Sequence, residues 1–395
     1  MRVRNLGWVV VAATVLTACD DPPVPKPQPT PPAASARPEY RFKFELKHKV
    51  KLVEDGVRSN DWVPAISPDG KYVAAAPPGR PAAVWDVETW EEVPIKAFHG
   101  KDHGSSFSLT AFSPSGRWLA FASRDNTIEL IDWSSRRQMA LNDDVVPRGR
   151  AYGGTVPMEM VFSSEENFLA TGWFEGPIQI LKLPELEQHM MLSEGAFSVP
   201  VLFSETSRTL VTMGRPQSDT PYLFPLRERG VRVYSTDSWT LERIKIDPEL
   251  ALYAVLPYDA ESVLSTGADD ESSPVTQITL WKWPSLEIVH RRSIDYVVGQ
   301  PAAHRPTGYV AADFGPMGEG GIFELQGFAV FDPLGSAWQP VVKWETFEEL
   351  AGDPALARGV GVMASRWAFS LDGKRCALAY RQWLLLFEIS WEKSP

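Results

Sequence analysis

The feature that most constrains this chain is a phrase it repeats: "ISPDGKYVAAA" from Ile66, "FSPSGRWLAFAS" from Phe112 and "FSLDGKRCALA" from Phe369. Each copy joins an apolar residue, a Ser-x-x-Gly turn and a second apolar run. Proline in the turn presets φ for a type I geometry, and the glycine takes the left-handed conformation that follows. Such a turn closes a three-residue hairpin loop with a bulge. On that geometry Phe112 pairs with Trp118 across two antiparallel strands. The same interval pairs Ile66 with Tyr72, Phe162 with Phe168, Phe203 with Thr209, Ala303 with Tyr309 and Phe369 with Arg375. Leu256 and Val263 form a version one residue longer. Cross-strand pairs of this kind stabilise a sheet by roughly 0.2–1 kcal/mol each.

Each hairpin is followed by a further strand with a large apolar anchor: Trp85, Ile131, Leu181, Tyr234, Trp281, Phe331 and Phe387. That makes seven units, starting near 66, 112, 162, 203, 256, 303 and 369. Several short strands repeated at a period on the order of 50 residues are the signature of a β-propeller. A sandwich does not repeat one strand–turn–strand–loop–strand phrase in fixed order. The expected fold class is therefore all-β, a seven-bladed β-propeller.

"SPDGKYVAAA…AAVWDVETWEEV" (67–93) resembles a WD repeat, with Trp85-Asp86 where the family's namesake dipeptide stands. Similar "SPDG" phrases occur in the propellers of TolB-like periplasmic proteins and of prolyl-oligopeptidase relatives. The resemblance covers about residues 40–395 and implies the propeller fold.

The first strand candidate is "RFKFELKHKVKLV" (41–53), which alternates strictly. Phe42, Phe44, Leu46, His48, Val50 and Leu52 fall on one face, and Lys43, Glu45, Lys47, Lys49 and Lys51 on the other. Period-two alternation marks a half-buried strand, and a lysine-studded face blunts a sheet edge. The seventh unit ends at "WLLLFEIS" without an outer strand of its own. Residues 42–53 are expected to supply it and so close the ring.

The amino terminus reads as a leader. Arg2 and Arg4 precede a nearly uninterrupted apolar run over 6–18, too short for a stable membrane-spanning helix and laid out like a secretory signal. Leu16-Thr17-Ala18-Cys19 resembles the lipobox of bacterial lipoproteins. That resemblance implies a signal peptide over 1–18 and a diacylglyceryl group, with further acylation such as palmitate, on Cys19. Residues 19–39 then form a lipidated, proline-rich stalk, and 40–395 the propeller. With eight prolines in 22–38, the stalk is extended; at about 3.1 Å per residue it reaches on the order of 50 Å. Cys19 and Cys376 are the only cysteines, so a lipidated Cys19 leaves no internal disulfide. The expected location is the cell envelope, on a membrane through the lipid and with no transmembrane helix in the mature chain.

Charge narrows the partners. The chain carries 39 basic and 50 acidic residues, a net charge of −11, and loss of Arg2 and Arg4 with the leader makes the mature chain more acidic still. Such a body repels nucleic acid and anionic lipid and suits basic protein surfaces.

No pattern for catalysis is found: no G-x-S-x-G, no phosphate-binding glycine loop and no H-E-x-x-H. His99, Asp102 and His103 in "HGKDH" have zinc-ligand chemistry but share one short loop, and "ADDESS" (268–273) lacks the alternation of a calcium loop. Neither a metal nor a cofactor is expected. The connections vary informatively. Turns between first and second strands, and after third strands, are tight, whereas long connections fall at 97–108, 142–157, 213–230, 267–276, 313–327 and 345–366. Long loops in a compact repeat fold usually serve function. Tyr222, Phe224, Arg227, Arg229, Phe314, Met317 and Arg358 within them are of the types enriched in protein interfaces. The expectation is a non-enzymatic interaction scaffold or assembly subunit. The alternative is a propeller that binds or hydrolyses a small molecule at its channel mouth.

Overall fold

The computed structural model describes residues 39–52, 62–77, 81–95, 107–123, 127–142, 157–173, 177–192, 199–214, 230–246, 251–259, 261–268, 275–298, 301–315, 327–335, 338–343, 365–380 and 383–394. Among these there is no helix, and the strands form seven antiparallel sheets. Blade 1 holds β2 (Ala65–Ile66), β3 (Tyr72–Ala75) and β4 (Ala83–Asp86), its outer position reduced to a bridge between Trp85 and Glu92. Blade 2 holds β5 (Phe107–Phe112), β6 (Trp118–Ser123), β7 (Ile128–Asp132) and β8 (Arg137–Asn142). Blade 3 holds β9 (Pro157–Phe162), β10 (Phe168–Trp173), β11 (Ile178–Lys182) and β12 (Glu187–Leu192). Blade 4 holds β13 (Val199–Phe203), β14 (Thr209–Gly214), β15 (Gly230–Ser235) and β16 (Leu241–Ile246).

Blade 5 holds β17 (Ala251–Asp259), β18 (Ser262–Ala268), β19 (Thr276–Lys282) and β20 (Glu287–Ile294). In blade 6, β21 (Val297–Val298) and β22 (Ala302–His304) share the inner position against β23 (Tyr309–Gly315), followed by β24 (Gly327–Phe331) and β25 (Trp338–Lys343). Blade 7 holds β26 (Ser365–Phe369), β27 (Arg375–Tyr380) and β28 (Trp383–Lys393), with β1 (Tyr40–Lys51) as its outer strand. The inner strands touch in one cycle, β2 to β5, β9, β13, β17, β22, β26 and back to β2. The ring is closed.

Seven hydrophobic clusters hold it, one at each junction between blades. A blade is thus covered on both faces, which is why second strands such as β6, "WLAFAS", are buried at every position. The seven anchor residues are all buried, from Ile131 and Leu181 at 0 % to Tyr234 at 8 % exposure. Closure follows the expected alternation. Antiparallel pairing runs from Tyr40 opposite Lys393 to Lys51 opposite Trp383, and a bulge at Lys47 lets the apolar face stay inward.

The hairpin register differs by one residue from the expectation. Phe112 is opposite Leu119, Ile66 opposite Val73, Phe162 opposite Leu169, Phe203 opposite Leu210, Ala303 opposite Val310 and Phe369 opposite Cys376. Leu256 is opposite Leu264. The serine is the cause. Ser113 Oγ accepts a hydrogen bond from the Trp118 N–H at 3.0 Å, while the Ser113 N–H donates to the Trp118 carbonyl at 2.9 Å. Serine therefore sits opposite the first residue of the next strand, and four residues turn between them. Ser67, Ser163, Ser204 and Ser370 make the same side-chain bond. The left-handed corner is Gly116 (φ 78°), Gly70 or Gly373, replaced by Glu166 and Ser207 in blades 3 and 4.

Candidate functional site

Antiparallel connectivity sorts the connections onto two rims. Turns between first and second and between third and fourth strands share one rim; second-to-third and interblade connections share the other. On the first rim the turns are short and internally bonded. Ser67 donates to Asp69 at 2.6 Å and Ser370 to Asp372 at 2.7 Å, and those carboxylates accept the N–H groups of Lys71 and Lys374. Partial burial works against ionisation of both acids, but these hydrogen bonds outweigh it and hold each carboxyl below its ordinary range.

The expected recognition residues come from the long connections. Tyr222, Phe224, Arg227, Arg229, Met317 and Arg358 lie outside the described residues, as do Cys19, His99, Asp102, His103 and residues 269–273. Phe314 is described, and it departs from the expectation of a displayed interface group. It is the penultimate residue of β23, 6 % exposed, with its ring edge-on to Tyr296 at 5.3 Å. Strand pairing opposite Val298 carries it into the blade instead of out along the loop.

The structure adds a cleft that sequence patterning missed. It has a volume of about 490 Å³ and lies on the outer face of blade 7, lined by Lys43, Glu45, Asp372, Lys374, Arg375 and Glu388, with Ile389 and Ser390. Pairing of Glu45 with Glu388 and of Lys43 with Ser390 brings these groups together from opposite ends of the chain. Lys47 bridges Glu45 at 2.8 Å and Glu388 at 3.0 Å, which relieves the carboxylate pair. Hydrogen bonding to Lys47 draws Glu45 below the usual carboxylate range. Arg375 joins blades: its guanidinium donates to the Gly70 carbonyl at 2.6 Å and pairs with Glu88. Charges of both signs line the cleft, and the Ile389 side chain turns away into the cluster between blades 6 and 7. The only available signal would have been the charged positions flanking the two closing strands, separated by almost the whole sequence.

Behind this cleft, His304 locks blades 6 and 7. It is buried, bonded through Nδ1 to Thr307 and Nε2 to the Gly373 carbonyl, and surrounded by the rings of Phe42, Phe369 and Trp391. Burial pushes its imidazole below the ordinary value, opposed by the Gly373 carbonyl and Asp372. Toward the channel, desolvation raises the Glu159 carboxyl on β9, and the charge of Arg366 on β26 counters it. Cys376 is fully buried in β27, and desolvation pushes its thiol well up. Among the described residues no three His, Cys, Asp or Glu side chains are grouped to hold a metal.

Comparison with solved structures agrees with this geometry. A chain of the "Crystal Structure of Mitotic Checkpoint Complex" superposes with a TM-score of 0.61 over 87 % of this chain and 95 % of that one, at 14 % identity. The fold is a WD-repeat-like β-propeller. A stretch of 68 residues is 38 % identical to "Target of rapamycin complex subunit wat1" of Schizosaccharomyces pombe. It spans 17 % of this chain and 20 % of that protein. No protein-family model matches the chain.

Proposed function

We propose that this protein is a cell-envelope lipoprotein whose propeller is a non-enzymatic scaffold or a subunit of a protein assembly. The observation that carries the reading is the asymmetry of a closed ring. Five of the seven first-to-second turns keep one tight, serine-bonded form, while the length variation collects at the opposite strand ends. A fold that spends its variable sequence on one rim presents that rim for recognition. Both similar proteins are named for complexes, one a target of rapamycin complex subunit and one a chain of a mitotic checkpoint complex, and a scaffold role here is of the same kind. Tethering rests on Leu16-Thr17-Ala18-Cys19 and on the proline-rich stretch that follows. The lipid holds the protein at a membrane, and its acidic body favours basic surfaces on its protein partners.

Two substitutions test the two halves of the proposal. Cys19→Ser should move the protein from the membrane fraction to the soluble fraction; retention on washed membranes in high salt refutes the lipid anchor. Charge reversal of Arg227 and Arg229 should abolish co-purification of membrane-derived partners while leaving the circular dichroism spectrum unchanged. Partner loss on reversal of Lys71 and Lys374 instead would assign recognition to the opposite rim.

A further inference from the structure

The outer strand of blade 4 differs from the other outer strands among the described residues. Every residue of β16, "LERIKI", is exposed, whereas β1 and β8 alternate and β12 and β20 bury their distal ends. Leu241, Ile244 and Ile246 are 47, 49 and 41 % exposed. They share a face, because Leu241 is opposite Tyr234, Ile244 opposite Arg232 and Ile246 opposite Gly230. A bulge leaves Glu242 outside the pairing and turns Leu241 onto that face. Arg243 and Lys245, opposite Val233 and Val231, form the second face. The strand is held firmly from behind. Trp239, just before it, is buried against Phe168 and His189 of blade 3. Gly230 has no side chain to push Ile246 away; a Cβ there would lie 2.9 Å from Ile246 Cγ1 and 3.1 Å from the Lys245 carbonyl oxygen.

We propose that β16 is a docking edge for an extended peptide in which acidic and apolar residues alternate. Every second residue of an edge strand points its N–H and C=O outward, a template for one more antiparallel strand. Side-chain complementarity then selects what is added. Residues directly opposite across an antiparallel pair lie on the same face. An incoming strand places one row beside Leu241, Ile244 and Ile246 and the other beside Arg243 and Lys245, so the matching rows are apolar and acidic. A second copy of this chain does not fit. A two-fold antiparallel pairing of β16 with itself sets Arg243 or Lys245 against Arg243 or Lys245 in each central register, and like charges directly opposite are destabilising. Arg243 and Lys245 form a local cationic row on a chain of net charge −11, so this edge attracts an acidic segment that the body as a whole repels. This site lies on the side of the ring, apart from the long-connection rim, and goes beyond the scaffold reading above.

The test uses the full chain and two labelled peptides of about eight residues, one alternating Val and Glu and the other Val and Lys. Fluorescence anisotropy should show the Val/Glu peptide binding at least roughly tenfold more tightly, and amide hydrogen exchange of residues 241–246 should slow when it is bound. The double variant R243E/K245E, altered only at exposed positions, should invert the preference while leaving the thermal midpoint unchanged. Ile244→Lys should weaken binding of the Val/Glu peptide without that inversion. Equal binding of the two peptides overturns the proposal. So does slowed exchange elsewhere than 241–246, or protection of 241–246 through concentration-dependent dimerisation without peptide.

Discussion

Removal of residues 40–52 is the perturbation that most directly probes how the ring is held. This segment lays Phe42, Phe44, Leu46 and Val50, all half-buried, and Leu52, 2 % exposed, against the clusters flanking blade 7. It also contributes hydrogen bonds from Tyr40 N–H to Tyr309 Oη and from Phe42 N–H to Gln339 Oε1, both 3.2 Å. Taking about 2 kcal/mol for the buried leucine and about 1 kcal/mol for each half-buried side chain, the apolar loss is about 6 kcal/mol. Folded domains are stable by roughly 5–15 kcal/mol in total, so the deletion removes a large share. Thermal unfolding followed by circular dichroism should shift down by on the order of 10 °C. Size-exclusion chromatography should show association through the uncovered edge of β28, where Leu385, Phe387 and Ile389 lose their cover. Deletion of residues 22–36 is the control and should leave the midpoint in place. Adding a peptide of residues 40–52 in trans at about a hundred times its dissociation constant should restore roughly 2.7 kcal/mol. Midpoints within about 2 °C of each other for the two deletions would refute the closure argument.

Two further outcomes are expected. Gly373→Ala should destabilise the fold by about 1–3 kcal/mol in chemical denaturation. The residue has φ of +70°, and a Cβ there would fall 2.3 Å from His304 Nε2; Gly116→Ala, at a similar φ but 3.4 Å from its nearest neighbour, should cost less. Because burial holds His304 and His290 below the ordinary histidine value, the unfolded state binds more protons than the folded state as pH falls through that range. The stability these neutral rings contribute is complete above about pH 6.5 and is lost as the pH falls below it. Denaturation midpoints measured across that window should fall, and His304→Gln, though less stable throughout, should show a shallower fall.

Blade number, anchor positions and ring closure were legible because each leaves a short-range mark. The seven anchors recur after each hairpin, and the alternation of Phe42 through Leu52 against five charged residues identifies a strand with one dry face. The register was not legible in the same way. Proline and glycine announce a turn but not its length, and the deciding interaction is a serine hydroxyl bonded five residues ahead. Phe314 failed for a related reason: residue type marks an aromatic near a loop, whereas strand pairing decides whether it points out or in. The blade 7 cleft depends on Glu45 meeting Glu388 and on Arg375 reaching Gly70, contacts between distant parts of the chain that local patterning does not encode.

Pairing of β1 with β28 also governs the order in which the fold can be completed. Blades 2 to 5 are built from consecutive strands and can form as soon as each is synthesised, by local contacts that assemble quickly. Blade 7 must wait for its last strand, while β1, made first, has no partner until then. During that interval the strand is protected by its own composition: Lys43, Lys47, Lys49 and Lys51 repel a second unpaired copy. The same lysines that face solvent in the finished ring thus keep nascent chains apart until their own carboxyl-terminal strand arrives.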